Sequence, residues 1–325
     1  MAAPVDLTVV VLSWNTRDLT LRALASVEAG CAPFAVRTIC VDNASADGSA
    51  DAVARARPDV VLRRNAANLG FARGNAVALP HVEGRAVVFL NSDTEARPGA
   101  LTHVLRYLDA HPEVGIASPP LVGTDGVPQR AVWGFPTTAG LLHQYTPLGW
   151  LNVGRAASRR QRDEGLAAVT GRVDAVAGAA MVVRRTLCDQ LQGFDPAYPF
   201  YVEDVDLCWR AARAGAEVHF VADGPAVVHH GGASASLAGG DARLPLLQGL
   251  LRFQRKRMRP FAYGAFAATF KVGVVARSLW EIVRAPVAAA ARAARGRTAR
   301  AQRTLDVARA RTRFLERDLR AFLRA

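Results

Sequence analysis

Three acidic residues, Glu203, Asp204 and Asp206, lie within four positions of one another in the second half of the chain. They begin a segment with helical hydrophobic spacing and follow the aromatic run at residues 199–202. Acidic side chains stabilise a helix N-terminus through its dipole, but three of them exceed what that role needs. A carboxylate held against apolar side chains has a raised pKa and can accept a proton as a general base. The pattern predicts a catalytic carboxylate here.

A fourth acid, Asp93, ends the polar triplet Asn91-Ser92-Asp93 that follows the apolar run at residues 86–90. A carboxylate at the end of a buried strand suits Mg²⁺ or Mn²⁺, which take one or two protein carboxylates together with phosphate oxygens. The same residue also suits a cap of the following turn. The sequence leaves both interpretations open.

Two histidines and a glycine-bearing loop complete the candidates. His229 and His230 stand at the end of a predicted strand, before a pair of glycines, where either is more typical of an ordinary surface or core histidine. In residues 68–75, two glycines and Arg73 suit phosphate oxygens, because glycine allows close backbone approach and the guanidinium is a strong donor. The absence of GxGxxG spacing and of a GxxxxGK[ST] motif disfavours dinucleotide-binding and P-loop sites.

Short apolar runs alternate with helical patterns along the first 118 residues, which predicts βαβ units and a mostly parallel sheet. The predicted strands are 7–12, 36–41, 60–62, 86–90 and 114–118, and the helices are 18–29, 49–57, 70–78 and 98–110. Ligands of such sheets bind at the carboxyl ends of the strands. The clusters at residues 13–15, 42–45 and 91–93 all fall there.

The remainder of the body is less regular. Residues 119–172 are predicted to be irregular and to shape an acceptor site, and 173–183 to form a strand. A helix is predicted over 203–214, with Val205, Cys208, Trp209 and Ala212 inward, followed by strands at 218–221 and 226–228. The four cysteines lack zinc-ligand spacing, so buried free thiols are expected.

Charge divides the chain unevenly. The net charge is +13, yet residues 252–325 contain 19 Lys and Arg against 4 Asp and Glu, and the rest is nearly neutral. We therefore predict a catalytic domain at 1–251, with halves 1–118 and 119–251, and a basic helical extension at 252–325. No signal peptide or run of about 18 uncharged apolar residues is recognised, so a cytoplasmic location is expected.

Taken in order, eight segments covering about residues 7–236 resemble the family 2 inverting glycosyltransferases. They are VVVLSWNT at 9–16, VDNASADGS at 41–49, NLGFARGN at 68–75, FLNSDT at 89–94, GAAMVVRR at 178–185, GFDP at 193–196, YVEDVDLCWR at 201–210 and HHGGAS at 229–234. The resemblance implies an α/β chain with the GT-A fold, a Rossmann-like, mostly parallel sheet flanked by helices. Within the family, the segments look most like bacterial rhamnosyltransferase-type enzymes of surface polysaccharide synthesis.

The resemblance also implies roles for the matched residues. Asp204 matches the catalytic base, with Glu203 beside it, and Asp93 and His229 match the ligands of Mn²⁺ or Mg²⁺, with His230 as the fallback. Asp42 is expected to accept the N3–H of a uracil or thymine ring. The implied nucleotide-sugar-binding residues are Ser13, Asn15, Asp42, Asn68, Arg73, Asn91, Ser92 and Asp93, and the acceptor-side residues are Gly178, Asp206 and Trp209.

The activity so implied is inverting transfer of a sugar, with L-rhamnose as the guess from resemblance. The donor is UDP- or dTDP-linked, and the acceptor is a lipid-linked or growing surface glycan. The basic extension has apolar faces edged by arginine, which is typical of helices lying on an anionic membrane. This pattern predicts a peripheral protein of the inner face of the plasma membrane; the alternatives are a helical cap or a homo-oligomer contact.

Two other functions remain to be weighed. A nucleotidyltransferase of similar fold needs a basic loop after the first strand, and Ser13-Trp14-Asn15 supplies none. A non-catalytic sugar- or nucleic-acid-binding protein with a basic arm would bind any duplex in a salt-dependent way. The apolar and aromatic content of the extension and the acidic residues of the body argue against nucleic acid as a partner.

Overall fold

The computed structural model of the chain describes residues 5–158, 169–198, 200–231 and 243–325. The chain forms two compact units, Met1–Phe135 with Arg162–Gly239, and Pro136–Gln161 with Gly240–Ala325. The predicted division at residue 251 falls within a helix of the second unit, Arg243–Arg257. The assignment of a separate function to each part therefore stays a prediction.

Fourteen strands are described, all in the first unit. They are β1 (Leu7–Ser13), β2 (Val36–Asp42), β3 (Val61–Arg64), β4 (Ala86–Asn91), β5 (Thr94–Ala96), β6 (Val114–Ser118), β7 (Leu121–Val122), β8 (Pro128–Gln129), β9 (Val132–Trp133), β10 (Gly171–Arg172), β11 (Ala175–Val176), β12 (Ala180–Arg184), β13 (Glu217–Phe220) and β14 (Val227–His229). The strands predicted in the first 118 residues are confirmed to within two residues at either end.

The helices of the first unit flank its sheets, and those of the second unit form most of it. They are α1 (Arg17–Cys31), α2 (Ser49–Ala56), α3 (Gly70–Ala76), α4 (Ala100–Ala110), α5 (Thr138–Tyr145), α6 (Arg185–Leu191), α7 (Glu203–Arg213), α8 (Arg243–Arg257), α9 (Pro260–Ala293), α10 (Thr298–Arg313) and α11 (Leu319–Arg324). Short 3-10 turns occur at Leu79–His81 and Pro147–Leu151, and a π-helical segment at Phe314–Asp318. Helices α5 and α8–α11 belong to the second unit.

The main sheet has eight strands in the order β10-β13-β6-β12-β4-β1-β2-β3. Strands β4, β1, β2 and β3 run parallel, whereas β12 is antiparallel to both of its neighbours. The first five residues of β1 and of β4 are buried, which explains their continuous apolar sequence. Each fully buried valine in these strands contributes about 1.5–3 kcal/mol to folding. The predicted mostly parallel α/β fold is confirmed.

A second sheet of four short strands, β5-β14-β7-β8, lies outside the parallel core. Strand β14 pairs antiparallel with β5, which aligns Val228 with Glu95 and His229 with Thr94. It pairs parallel with β7 on its other side, and β7 forms a hairpin with β8. This sheet joins the segment after Asp93 to the histidine pair.

The prediction that residues 119–172 are irregular is wrong in part. The structure places β7, β8, β9 and α5 there. Strands of two residues carry no alternation of polar and apolar side chains, so hydrophobic periodicity cannot detect them. Helix α5 packs against α9, and this packing places residues 136–161 in the second unit.

The second unit is built on α9, a helix of 34 residues that packs against α10 and α5. Three charged residues occur in its first 24 positions, and each is bonded within the unit. Lys271 donates to the Leu323 carbonyl, Arg277 to Glu281 and the Gln144 carbonyl, and Glu281 accepts from Arg311. No helix in the part of the chain that the structure describes is long and apolar enough to cross a membrane.

The cysteine prediction is confirmed, since all four thiols are free and buried. Burial raises the pKa of Cys31, Cys40 and Cys188 to about 12, so these thiols are unreactive. Cys31 is the last residue of helix α1, two residues beyond the predicted end of that helix. In α7, Val205 and Cys208 are buried as predicted and Trp209 is partly buried, but Ala212 is exposed. Asp206 is buried as well, and its charge is paired with Arg210.

Candidate functional site

The carboxyl ends of β1, β2 and β4 meet at one edge of the main sheet. Register pairs Ser13 with Asp42 and Leu12 with Asn91, so the three predicted polar clusters follow neighbouring strands. This edge is where open parallel sheets bind their ligands. The structure therefore brings together the residues that the sequence placed at separate strand ends.

The two carboxylate oxygens of Asp42 differ in their hydrogen bonding. Its Oδ2 accepts a hydrogen bond from the Ser45 backbone N–H at 3.1 Å, while Oδ1 is buried without a partner among the described residues. Ala44 adopts a left-handed φ of 62°, which turns the loop back over the carboxylate. A buried, unpaired acceptor costs about 1–3 kcal/mol, so a ligand N–H that reaches Oδ1 would recover that free energy.

Ser13 and Asn15 support this loop. The Ser13 hydroxyl shares a hydrogen bond with Thr20 at 2.7 Å. Asn15, with a left-handed φ of 53°, accepts from the Ala46 N–H at 2.7 Å and donates its own N–H to the Ser45 hydroxyl at 3.0 Å. The Asn15 side chain bonds the loop after β2 and the Ser13 side chain bonds helix α1, and the contact of either residue with a nucleoside stays a prediction.

Asn43 is a structural centre that the sequence analysis missed. Its Nδ2 donates to Asn68 at 2.8 Å and to the Gly70 carbonyl, and its Oδ1 accepts from the Leu69 N–H and from Asn65 at 3.0 Å. Asn43 therefore ties the loop after β2 to the glycine-bearing loop. The only signal in the sequence was its place in the polar run after β2.

Arg73 lies on the surface in helix α3. Its Nε donates to the Pro196 carbonyl at 2.9 Å, which connects the glycine-bearing loop to the Gly-Phe-Asp-Pro segment. The rings of Phe71 and Phe194 also connect these two segments, packing edge to face with centroids 5.3 Å apart. The role of Arg73 at a diphosphate stays a prediction.

The triplet after β4 is held firmly in place. The Asn91 N–H donates to the Ala179 carbonyl at 2.9 Å, and the Ser92 hydroxyl bonds Thr16 at 2.8 Å. Asn91 Oδ1 is buried without a partner among the described residues. Asp93 follows with 5 % of its surface exposed.

The second sheet brings His229 to Asp93. The distance from His229 Nε2 to Asp93 Oδ1 is 3.6 Å, and the His230 N–H donates to the Asp93 carbonyl at 2.8 Å. The His230 ring faces the other way and bonds Glu95 at 2.7 Å. Of the two candidate histidines, His229 is the one whose ring meets Asp93. The Gly232–Ser234 part of this motif lies outside the described residues.

This pair meets the basic requirement of a divalent cation site. Two atoms that each lie about 2.1 Å from one ion are at most about 4.2 Å apart, so Asp93 Oδ1 and His229 Nε2 can bind the same ion. A carboxylate combined with an imidazole suits Mn²⁺ better than Mg²⁺, which prefers oxygen ligands. Across the described ranges, no group of three or more metal-binding side chains occurs.

Asp204 lies at the start of α7, where two backbone N–H groups hold its carboxylate. Oδ2 accepts from Gly178 at 3.1 Å and Oδ1 from Val205 at 2.8 Å. Burial raises its pKa, partly opposed by these hydrogen bonds. Burial and then the Asp204 charge raise the pKa of Glu203 well above its ordinary value, and Glu203 Oε2 has no partner in the described structure. Of the two acids, Asp204 is the better base, because its charged form is stabilised.

The backbone before Asp204 is strained. Tyr201 and Val202 both adopt left-handed φ values, 69° and 70°. Such a conformation is unusual for a β-branched residue and costs on the order of 1–3 kcal/mol. Gly178 lies opposite, where an added Cβ would stand 3.4 Å from the Cβ of Asp204. The bend and the glycine together fix where the carboxylate points.

Gly178 and Ala179 connect the two acidic centres. Gly178 donates to Asp204, and the next residue, Ala179, accepts from the N–H of Asn91, two positions before Asp93. Two hydrogen bonds, joined by the Gly178–Ala179 peptide bond, therefore connect the base candidate to the triplet that ends at the cation-binding candidate. Gly178, Asp204 and Asp93 belong to one edge of the first unit.

Asp206 and Trp209 occupy the other side of α7. Asp206 is fully buried and pairs with Arg210 at 2.8 Å, and it also accepts from the Tyr198 hydroxyl at 3.1 Å. Trp209 is partly buried, with the Arg213 guanidinium 5.2 Å from its ring centroid. Asp206 thus anchors the helix that carries Asp204, and the acceptor-side roles of both residues stay predictions.

The sequence of this chain matches a family model and a protein of known activity. The family model described as "Glycosyltransferase like family 2" matches residues 4–238. The N-acetylglucosaminyl-diphospho-decaprenol L-rhamnosyltransferase of Mycobacterium tuberculosis is 30% identical over 195 residues, which are 55% of this chain and 62% of that protein. The chain thus spans less than two thirds of that relative's length.

Solved structures share the fold. The mannosyltransferase PcManGT of Pyrobaculum calidifontis, in complex with GDP-Man and Mn²⁺, superimposes with a TM-score of 0.56 at 17% identity, over 96% of this chain and 89% of that one. Residues 1–349 of S. aureus TarS, in complex with UDP-GlcNAc, superimpose with a TM-score of 0.51 at 16% identity, over 81% and 70%. At these identities the likeness establishes the fold.

Proposed function

Because the chain belongs to glycosyltransferase family 2, we propose that it transfers a sugar from a UDP- or dTDP-linked donor to a hydroxyl group of a lipid-linked or growing surface glycan. The observation that carries this proposal is the link from Asp204 through Gly178 and Ala179 to the triplet that ends at Asp93. This link supports the proposal, because it connects the proposed base to the triplet proposed to bind the diphosphate.

The donor's base would bind at Asp42. A pyrimidine ring presents one N–H between two carbonyl groups, and the unpartnered Oδ1 of Asp42 is an acceptor for it. Arg73 would pair with diphosphate oxygens through its terminal nitrogens, since its Nε is already bonded to Pro196. Asn68, Asn91 and Ser92 shape the intervening wall.

Asp93 and His229 would hold Mn²⁺ or Mg²⁺. When bound, the ion supplies positive charge that stabilises the departing nucleoside diphosphate. The two side chains fit this role by chemistry and by the 3.6 Å between their ligand atoms. His230 is less suited, because its ring nitrogen already bonds Glu95.

Asp204 would act as the base of a single inverting displacement. The acceptor oxygen forms a bond to the anomeric carbon while the bond from that carbon to the diphosphate oxygen breaks, and the hydroxyl proton passes to Asp204. The two N–H bonds orient the carboxylate and stabilise its charged form, which partly offsets the effect of burial. Glu203, with its more strongly raised pKa, would remain protonated beside it.

We base the proposed donor sugar and acceptor on the name of a relative. The name of the M. tuberculosis relative specifies an L-rhamnosyl group and a lipid-diphosphate acceptor. We therefore place a rhamnosyl donor and a polyprenyl-diphosphate-linked sugar first among the substrates to test. Because the chain belongs to this family, nucleotidyl transfer is only the second activity to test.

We also propose that the second unit binds the anionic inner surface of the plasma membrane. The bonded charges of α9 leave its outer side apolar, with Phe261 91 % and Val272 70 % exposed and Trp280 beside Trp150. A groove of about 690 Å³ lies between Thr146–Leu151 and α9. The basic residues before Phe261, at 252–259, supply charge complementary to anionic lipid. A homo-oligomer contact on the same surface is the alternative outcome.

The test of the catalytic proposal is a donor panel. UDP-, dTDP- and GDP-linked sugars are added with Mn²⁺ and the shift in melting temperature is measured, because a ligand that binds only the native state stabilises it. Transfer to a lipid-linked acceptor is then followed by NMR of the product's anomeric configuration. Inversion supports the proposal; retention, or no response to any uridine or thymidine donor, contradicts it.

A further inference from the structure

The hairpin of β7 and β8 carries a residue with no role so far, Gln129. Register pairs Gln129 with Leu121, and a tight loop closed by the Gly123 N–H to Val127 carbonyl bond at 2.8 Å connects the strands. From this position the side chain of Gln129 extends past the end of β7 and reaches His229 on β14. It makes two hydrogen bonds to that one residue.

The two bonds define the state of the histidine ring. Gln129 Nε2 donates to the His229 carbonyl at 2.9 Å. Because a carbonyl can only accept, the NH₂ end of the Gln129 side chain must face it. The amide oxygen Oε1 then faces His229 Nδ1, at 2.8 Å. Because Oε1 can only accept, Nδ1 carries the proton. A neutral His229 therefore has its lone pair on Nε2.

That lone pair is directed at Asp93. His229 Nε2 and Asp93 Oδ1 are 3.6 Å apart, and both atoms are acceptors in this tautomer. Two facing acceptors at this separation leave a position that a cation can occupy. The neighbouring His230, whose ring nitrogen bonds Glu95 at 2.7 Å, has no such arrangement.

We infer that Gln129 is a positioning residue that fixes the tautomer and orientation of His229 so that Nε2 and Asp93 Oδ1 bind one divalent cation. The inference rests on the proposed cation site, to which it adds a residue outside every recognised motif. Groups that orient metal-binding histidines through their second nitrogen commonly matter 10–100-fold for metal affinity.

The test compares Gln129→Met with Gln129→Glu in the full chain. Methionine keeps the length of the side chain but removes both bonds, whereas glutamate keeps an acceptor for the Nδ1 proton. The first measurement is the protonation pattern of the His229 ring in the metal-free protein, from ¹⁵N side-chain NMR assigned with His229→Asn. The second is Mn²⁺ affinity, from electron paramagnetic resonance titration.

We expect the wild type and Gln129→Glu to show a proton on Nδ1 and a free Nε2, and Gln129→Met to lose this preference. Mn²⁺ affinity should fall about 10–100-fold in Gln129→Met and be retained in Gln129→Glu. Gln302→Met, the same change at an exposed position of α10, is the matched control. Melting temperatures verify that each variant is folded.

The outcomes separate the two claims. An unchanged ring tautomer and unchanged Mn²⁺ affinity in a folded Gln129→Met overturn the role of Gln129 while leaving the cation site intact. A wild type that has the expected tautomer but binds neither Mn²⁺ nor Mg²⁺ overturns the cation site itself, and with it this inference. A doubly protonated His229 ring in the metal-free wild type would show that Asp93 and His229 form an ordinary ion pair, and would also overturn the inference about Gln129.

Discussion

The two units of the chain arrange charge in opposite ways. The first unit fills its interior with the apolar strands β1 and β4 and gathers Asp42, Asp93 and Asp204 at one edge of the sheet. The second unit turns Lys271, Arg277 and Glu281 of α9 inward to bonded partners and leaves apolar side chains outside. The contrast supports the two proposals, that the first unit binds a charged nucleotide-sugar and that the second unit binds a membrane surface.

The largest expected effect comes from removing the base. Asp204→Asn keeps the size of the side chain but cannot accept a proton, so kcat should fall about 10²–10⁴-fold while the thermal shift caused by the donor persists. Initial rates and melting curves measure the two properties. Asp306→Asn, an exposed change on α10 in the second unit, is the control. Retention of more than a few per cent of wild-type turnover would contradict the assignment.

Asp93→Ala should come next. It removes the carboxylate of the Asp93–His229 pair, and we expect activity and Mn²⁺ affinity to fall together, on the order of 100-fold. His229→Asn should weaken Mn²⁺ binding more than His230→Asn does, because only the ring of His229 faces Asp93. Unaltered metal titration of Asp93→Ala is the result that rules out its role as a ligand.

A smaller effect is expected on the second unit. Val272→Asp with Trp280→Asp places two negative charges on the exposed side of α9, and should reduce co-sedimentation with anionic vesicles about tenfold while leaving the melting temperature near that of wild type. Val307→Asp introduces the same type of change at an exposed position of α10. If all three proteins sediment equally, the apolar surface does not bind membranes.

The smallest effect concerns stability. The pKa of Glu203 is raised above its ordinary 4.5 by burial, so the folded state favours the neutral form and loses stability as pH rises through that pKa. Glu203→Gln removes this loss, and should raise the melting temperature by a few degrees at pH 7 and by almost nothing below pH 4.5. Thermal unfolding across pH provides the measurement; an equal gain at every pH would point to packing instead.

Much of the first unit could be predicted from sequence because the parallel strands β1, β2 and β4 are long and mostly apolar. Runs such as Leu7–Leu12 predict buried strands, and the polar residues after them must then share an edge of a parallel sheet. The acidic segment at α7 was equally visible. These signals are local, so one sequence suffices to detect them.

The missed features depend on contacts between distant residues. Gln129 lies on a strand of two residues and acts on His229, a hundred positions later. Asn43 acquires its importance only when the glycine-bearing loop folds against it. The inward side of α7 was predicted wrongly at Ala212, because the ion pair that allows Asp206 to be buried cannot be inferred from hydrophobicity.

The apolar side of α9 has a consequence for work with the purified protein. A surface that exposes Phe261, Val272 and Trp280 in water can be covered either by lipid or by a second copy of the chain, but not by both at once. Vesicles and self-association should therefore compete. Any dimer seen in dilute buffer should dissociate as phospholipid is added. Raising the protein concentration should favour the dimer and so weaken the apparent affinity for the bilayer.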